Sequence, residues 1–290
     1  MNVNVPYVIA EIGCNHKGDL EIAKEMIEMA AIFCKVDAVK FQKRCPRELL
    51  TEAEYNAPHP VPYNSYGATY GEHREALEFN VQQHQILKDW CEKFKVVYST
   101  SVWDLTSAKE IVSLNPEFIK IPSACNLNLP LLRYICENFS GDIHLSLGMT
   151  THEEEKTIID LFKSYGRNKD LVIYACTSGY PVPAEDVCLL EITRLIETFG
   201  NEVKSVGFSI HNPGIALDTS ALVLGAQYFE RHFTLNRTWK GTDHAASLEP
   251  DGMRRVTRDL RNTCKALHYK EKEILDIEEV QRKKLKHIVN

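Results

Sequence analysis

Two histidines in the last third of the chain stand where two strands would end. The apolar runs 206–208 and 227–229 have strand length and composition, and His211 and His232 follow them among turn-forming or polar neighbours. Between the runs lie Asn212-Pro213-Gly214 and a helix-like segment, 215–225. The order is strand, helix, strand, with an imidazole at each strand exit. If the two strands are parallel neighbours, both imidazoles face one bowl. Two neutral imidazoles so placed are candidate ligands for a divalent metal, with Glu230 and Asp243 as candidate oxygen ligands or outer supports. The purely structural alternative is a pair of hydrogen-bonded histidines, and the rest of the chain has to decide between them.

The elements that would position such residues recur along the chain. Apolar runs at 7–10, 36–41, 96–99, 118–121, 143–145 and 171–175 precede the two above, and helical periodicity fills the gaps at 20–34, 82–94, 105–114, 129–138, 151–163 and 188–199. Asp19 and Thr150 or Thr151 stand as N-caps, and a last helix is expected over 252–267. Eight strands alternating with helices predict an α/β fold, a (β/α)8 TIM barrel, with strands apolar throughout because both faces are buried. A doubly wound sheet would want a glycine fingerprint after the first strand, and Gly13-Cys14-Asn15-His16-Lys17-Gly18 is not one. Residues 44–80 break the rhythm. Rich in Pro, Tyr, Asn, Gly and His, they read as a functional loop or lid.

A barrel of this kind keeps its chemistry at the C-terminal ends of its strands. There the polar residues are Glu11, Lys40, Thr100, Lys120 with Ser123, Ser146, Thr177 with Ser178, Ser209 with His211, and His232. A lysine inside an apolar strand is costly to bury without an anion, whether a structural carboxylate or a ligand. Two lysines among several hydroxyls predict a pocket for a phosphate or carboxylate beside the imidazole pair. Composition narrows the partners further. A net charge of −6, with no basic face before the C-terminal tail, argues against nucleic acid, and no apolar run approaches membrane length. Met1-Asn2-Val3-Asn4 lacks the features of a leader. Nine cysteines with no Cys-x-x-Cys pair suit free thiols in a reducing, cytoplasmic setting.

These residues carry a resemblance. Ala10-Glu11-Ile12-Gly13-Cys14-Asn15-His16-Lys17-Gly18, Val39-Lys40-Phe41-Gln42, Tyr98-Ser99-Thr100, Ile119-Lys120-Ile121-Pro122-Ser123, Leu145-Ser146-Leu147-Gly148-Met149, Tyr180-Pro181 and Glu230-Arg231-His232-Phe233 resemble, in order, the sialic acid synthase (NeuB) family. The resemblance implies a carbohydrate-biosynthetic transferase. Such an enzyme condenses phosphoenolpyruvate with an aldose, an N-acylated amino sugar or a related sugar, phosphorylated or not, to a 2-keto-3-deoxy sugar acid and releases phosphate. It implies that Lys40, Thr100, Lys120, Ser123, Ser146, Ser178 and Ser209 bind phosphoenolpyruvate, that His211 and His232 hold manganese (or magnesium or cobalt), that Glu11 faces the sugar and assists proton transfer, and that Asp243 lies near the sugar hydroxyls.

Three departures accompany it. Ser178 stands where relatives often have Asn, and Ile210 where Ser-Asp-His is common. Relatives continue into a small antifreeze-like domain, whereas here residues 1–269 read as the barrel and 270–290 as a charged tail similar to the family's interdomain linker. The tail's apolar patch, Ile274, Leu275, Ile277 and Val280, is expected to dock on a neighbouring barrel in a homodimer. The competing readings are another metal-dependent barrel enzyme, a deoxy-sugar-acid phosphate synthase or a hydrolase, and a non-catalytic scaffold. The hydrolase usually wants a His-x-His pair at the first strand, absent from Asn15-His16-Lys17, and a scaffold gains nothing from converging buried charge.

Overall fold

The computed structural model describes residues 5–287. The amino-end stretch Met1-Asn2-Val3-Asn4, read above for a leader, and the last three residues of the tail lie outside them. Eight strands form the frame: β1 (Tyr7–Gly13), β2 (Ala38–Lys43), β3 (Val97–Val102), β4 (Phe118–Ile121), β5 (Asp142–Ser146), β6 (Leu171–Ala175), β7 (Ser205–Ser209) and β8 (Tyr228–His232). They pair in sequence order as a closed barrel, with β8 returning parallel to β1. The expected (β/α)8 architecture holds, and β7 and β8 are parallel neighbours.

Several strands run past their apolar runs into polar or charged residues, so that β1 includes Glu11, β2 includes Gln42 and Lys43, and β8 includes Glu230 and His232. Ladder hydrogen bonds come from the backbone and are indifferent to side-chain polarity, so the strands end where pairing ends. Alternation of side chains along each strand then sorts the residues. One phase points outward beneath the helices and joins the large core that includes Val8, Ala10, Val39, Phe41, Ile119 and Ile121. The other phase points into the lumen, where Ile9, Ala38, Phe118, Val172 and Tyr174 fill the N-terminal half. Buried His144 belongs to this plug, stacked on Phe118 with ring centroids 4.0 Å apart and hydrogen-bonded through Nδ1 to the Tyr174 hydroxyl at 2.8 Å.

Helices arise where periodicity and caps predict them, within a few residues. Asp19 caps Leu20–Glu28 by accepting from the Glu21 and Ile22 amides, and Thr151 with Glu154 makes a capping box for His152–Ser164. The segment 44–80 is not the open loop expected from its composition. It folds into short helices at Pro46–Leu49, Glu52–Asn56 and Tyr70–Ala76, two of them started by the capping boxes Thr51–Glu54 and Thr69–Glu72. The tail differs as well. Asp276–Leu285 is helical, with its Ile277 and Val280 exposed at 80% and 54%.

The outward phase of β8 holds one ion pair that bears on the site. Arg231 is 2% exposed and Nη1 meets Asp218 Oδ2 at 2.6 Å, while Nη2 donates to the carbonyls of Asn212 at 3.0 Å and Gly214 at 2.8 Å. It ties the turn after His211 to the strand that carries His232. Asp218→Ala leaves this guanidinium buried without its counter-ion. The expected loss is about 3 kcal/mol or more in urea unfolding at neutral pH, and a variant as stable as the parent would show that the pair does not hold the turn.

Candidate active site

Lumen-facing residues at the C-terminal end of the barrel line a cavity of about 270 Å³. Strand register brings them to one level. Glu11 pairs in register with Lys40 on one side and His232 on the other, Ser101 with Lys120, and Ser209 with Glu230. Two ammonium and two carboxylate groups meet there. Lys40 Nζ contacts Glu11, lies 3.7 Å from Glu230 Oε1 and donates to Ser101 Oγ at 2.6 Å. Lys120 Nζ is 2.9 Å from Glu230 Oε2 and sits 3.9 Å over the Tyr174 ring. Gln42 Nε2 donates to Glu11 Oε1 at 3.1 Å, and Ser209 Oγ to Glu230 Oε1 at 3.4 Å.

Burial works against both ammonium groups. Lys40, within reach of both Glu11 and Glu230, is raised nonetheless, whereas Lys120, with Glu230 on one side and the like charge of Lys40 near, is lowered. Burial would also raise Glu230, but the two lysines outweigh it and hold that carboxyl down to about 2. Glu11 goes the other way. Burial raises it, and Lys40 offsets only part of the effect. The network therefore assigns unlike roles to its two carboxylates. Glu230 is the fixed counter-ion of the lysines, and the reading of Glu230 as a metal oxygen ligand gives way to this one. Glu11 is the carboxyl least committed to the charged form.

The imidazoles sit beside this network. The rings of His211 and His232 have centroids 5.1 Å apart, and Nδ1 of each is buried without a hydrogen-bond partner. Burial, with the neighbouring His232 adding to it, pushes His211 down to about 3, so it is neutral at physiological pH. Two rings on one wall, each with an unsatisfied Nδ1, fit a divalent ion better than the hydrogen-bonded pair of the structural alternative. No cluster of three or more His, Cys, Asp or Glu side chains suited to a metal occurs among the described residues, so His211 and His232 are the protein donors that this wall offers.

Opposite lies a nook built around Gly148. Its amide donates to Ser123 Oγ at 3.1 Å, and a Cβ there would come within 2.7 Å of that hydroxyl and 2.4 Å of the Ser178 hydroxyl. A side chain would fill the space into which both hydroxyls point, so glycine leaves a small polar cradle. Ser146 lines the same cavity. A second chamber of about 350 Å³ opens from the first and shares Gln42, Trp103, Tyr180 and His232 with it.

Of the residues expected from sequence, the structure brings Glu11, Lys40, Lys120, Ser123, Ser146, Ser178, Ser209, His211 and His232 to the first cavity. Thr100 is not among them. It pairs in register with Phe41 and Ile119, which face outward, and its hydroxyl donates to Tyr98 Oη at 2.7 Å beneath the helices. Alternation puts Ser101 in the lumen instead. Thr177 also turns away, donating to the Asp186 carbonyl at 2.8 Å. Asp243 lines the second chamber and not the first. Gln42, Ser101, Trp103 and Tyr180 have no role in the sequence reading. Parity is the signal for two of them: Gln42 and Ser101 lie two residues beyond an inward-facing residue of the same strand.

With this geometry in place, the chain can be compared with known proteins. The model of the NeuB family matches residues 26–272. N-acetylneuraminate-9-phosphate synthase of Homo sapiens is 36% identical over 284 residues, covering 96% of this chain and 76% of the relative. N,N'-diacetyllegionaminic acid synthase of Legionella pneumophila is 32% identical over 276 residues, covering 94% and 76%. Among solved structures, the N-acetylneuraminic acid (sialic acid) synthetase of Leptospira borgpetersenii, crystallised with citrate, superposes with a TM-score of 0.81 at 26% identity over 97% of this chain and 93% of that one. The chain belongs to the NeuB family and is a transferase of the sialic acid synthase kind.

Proposed function

We propose that the protein condenses phosphoenolpyruvate with an aldose to a 2-keto-3-deoxy sugar acid, releasing phosphate. The observation that carries this reading is the pair of lumen lysines in one cavity with the Ser123 and Ser178 hydroxyls of the Gly148 cradle and with two imidazoles whose Nδ1 atoms lack partners. Lys40 and Lys120 each have three donors, so they can keep Glu230 or Glu11 and still bind an incoming carboxylate or phosphate. Their counter-ions hold them in place beforehand, which spares the reorganisation cost of gathering two cations around the anion. The Ser123 and Ser178 hydroxyls suit phosphate oxygens.

In the reaction, C3 of phosphoenolpyruvate forms a bond to the aldehyde carbon, whose oxygen takes up a proton as it becomes a hydroxyl. Water then adds at C2, and the C2–O bond to phosphate breaks to leave the ketone. A divalent ion held by His211 and His232, manganese in preference to magnesium or cobalt, would supply Lewis-acid polarisation of the aldehyde. Glu11, in register with His232 and held by Lys40 and Gln42, is the side chain placed to exchange the proton at that oxygen. Ser209 steadies Glu230, and Tyr174 supports Lys120 from below.

Three tests follow from this reading. Lys40→Met and Lys120→Met should each weaken phosphoenolpyruvate binding by about 2–5 kcal/mol in calorimetry, as for a buried charge deprived of its partner. Unaltered binding in both would make the lysines structural. Chelation should stop phosphate release, and added manganese should restore it in the parent but not in His211→Ala or His232→Ala. Full turnover in excess chelator would remove the metal from the scheme. We also propose a homodimer in which the exposed apolar side of Asp276–Leu285 packs on a partner barrel. Light scattering should then give twice the chain mass, reduced by deletion of residues 271–290, and a monomeric parent would exclude the dimer.

A further inference from the structure

The second chamber holds another pair of imidazoles, and their chemistry is the reverse of that of His211 and His232. His59 and His73 line this chamber, 7% and 3% exposed, with ring centroids 4.3 Å apart and planes at 70°. His59 follows the helix Glu52–Asn56, and His73 lies on the helix Tyr70–Ala76. Both rings are anchored through the same atom. Nδ1 of His59 accepts from the Val61 amide at 3.0 Å, and Nδ1 of His73 accepts from the Tyr66 amide at 3.2 Å. A backbone amide only donates, so Nδ1 is bare in each ring and the ring proton is on Nε2. For His73 the charge agrees: burial, reinforced by His59 and Arg74, pushes it down to about 4. Neither Nε2 makes a hydrogen bond among the described residues, and neither is sealed off as His84 Nε2 is.

This tautomer excludes the pair as a second metal site. A ligating imidazole binds through a bare nitrogen and donates from the other, whereas here the bare nitrogens are already engaged by the backbone. Turning the rings to free them would break both anchors. What the pair offers instead is two N–H donors in fixed positions. The helix under His73 is itself fixed, because Gly71 packs so closely on Tyr55 that a Cβ there would come within 2.2 Å of the ring. A buried donor left without a partner costs about 1–3 kcal/mol, and an oxygen brought into the chamber relieves that cost twice over. The chamber also reaches His232, where the acceptor aldehyde lies in the proposed reaction, so the rest of the acceptor supplies such oxygens.

Resting on the condensation proposed above, we propose that His59 and His73 are specificity-determining residues for the acceptor. Their Nε2–H groups donate to uncharged oxygen of the sugar, a hydroxyl or an acyl carbonyl, away from the aldehyde. An acceptor that lacks this oxygen leaves both donors buried and unpaired, and the site rejects it for that reason.

The two ring nitrogens can be tested apart. Asparagine puts an amide oxygen near the place of Nδ1 and nothing at that of Nε2, whereas glutamine reaches the place of Nε2 with an N–H. The full chain is given phosphoenolpyruvate, manganese and a panel of hexoses and N-acylhexosamines, then the monodeoxy and N-alkyl analogues of the best substrate, reading phosphoenolpyruvate consumption. His59→Asn and His73→Asn should each raise the acceptor KM about tenfold with kcat within about threefold, and His59→Gln and His73→Gln should recover most of that loss. Removing the recognised oxygen should cost the parent about 100-fold in kcat/KM and the Asn variants little, and the analogue that suffers separates hydroxyl from carbonyl. Heteronuclear NMR of the parent labelled at its histidine nitrogens covers variants that fail to fold. Nε2 should carry the proton in both rings, and both N–H resonances should move when the sugar is added. A bare Nε2 in either ring, an unchanged acceptor KM in both Asn variants, or equal penalties for the missing oxygen in parent and variants would each overturn the proposal while leaving the condensation in place. If no sugar consumes phosphoenolpyruvate, the condensation itself fails. A sugar of the panel that still moves both N–H resonances would then uphold the donor pair, and a panel that moves neither would remove it.

Discussion

Four charges buried at one level of the barrel lumen govern the design of this protein. Taking each ion out of water costs several kcal/mol, and the cost is recovered only where partners stand at close range. Here Lys40 touches Glu11 and approaches Glu230, and Lys120 meets Glu230 at 2.9 Å, so the set is neutral and each lysine has a partner. The arrangement is poor as a stabilising device and good as a receptor. It keeps two ammonium groups desolvated, fixed and close together, which is the condition under which an anionic substrate gains most from them.

The rest of the molecule serves that layer. Beneath it, the aromatic plug of Phe118, His144, Tyr174 and Tyr228 fills the lumen, and Tyr174 presents its ring face to Lys120. Gly207 is part of this plug, because a Cβ there would come within 2.6 Å of the Tyr174 ring. Beside it, Arg231 fastens the turn after His211 to β8, so the two imidazoles are aligned by an ion pair on the far side of the sheet. Above it, the helices of residues 44–80 raise one wall and extend the cavity beyond the volume that strand ends alone would enclose. Each support lies outside the reacting centre, and each acts by restricting a side chain that faces it.

Much of this was legible before any coordinates. Apolar runs spaced by helical periodicity specify a closed parallel barrel, because strands buried on both faces and joined by helices have few other ways to hide. Once the barrel is accepted, its strand ends name most of the site: Glu11, Lys40, Lys120, Ser123, Ser146, Ser209, His211 and His232. All of these converge on one cavity. Thr100 shows where such reading stops. At a strand end the choice between two adjacent hydroxyls depends on parity, and parity depends on where the backbone ladder begins. Composition does not mark that point when Tyr98, Ser99, Thr100 and Ser101 are all compatible with either face.

What the sequence by itself determined was therefore the identity of the chemical groups and the fold that gathers them, since both follow from patterns that are local and repeat. Tertiary structure alone decided how those groups pair. That Lys40 pairs with Glu11, that Lys120 pairs with Glu230 and that Ser101 replaces Thr100 are facts about distances between residues far apart in the chain. Electrostatic energies fall with distance and rise with burial, and neither quantity exists until the barrel has closed.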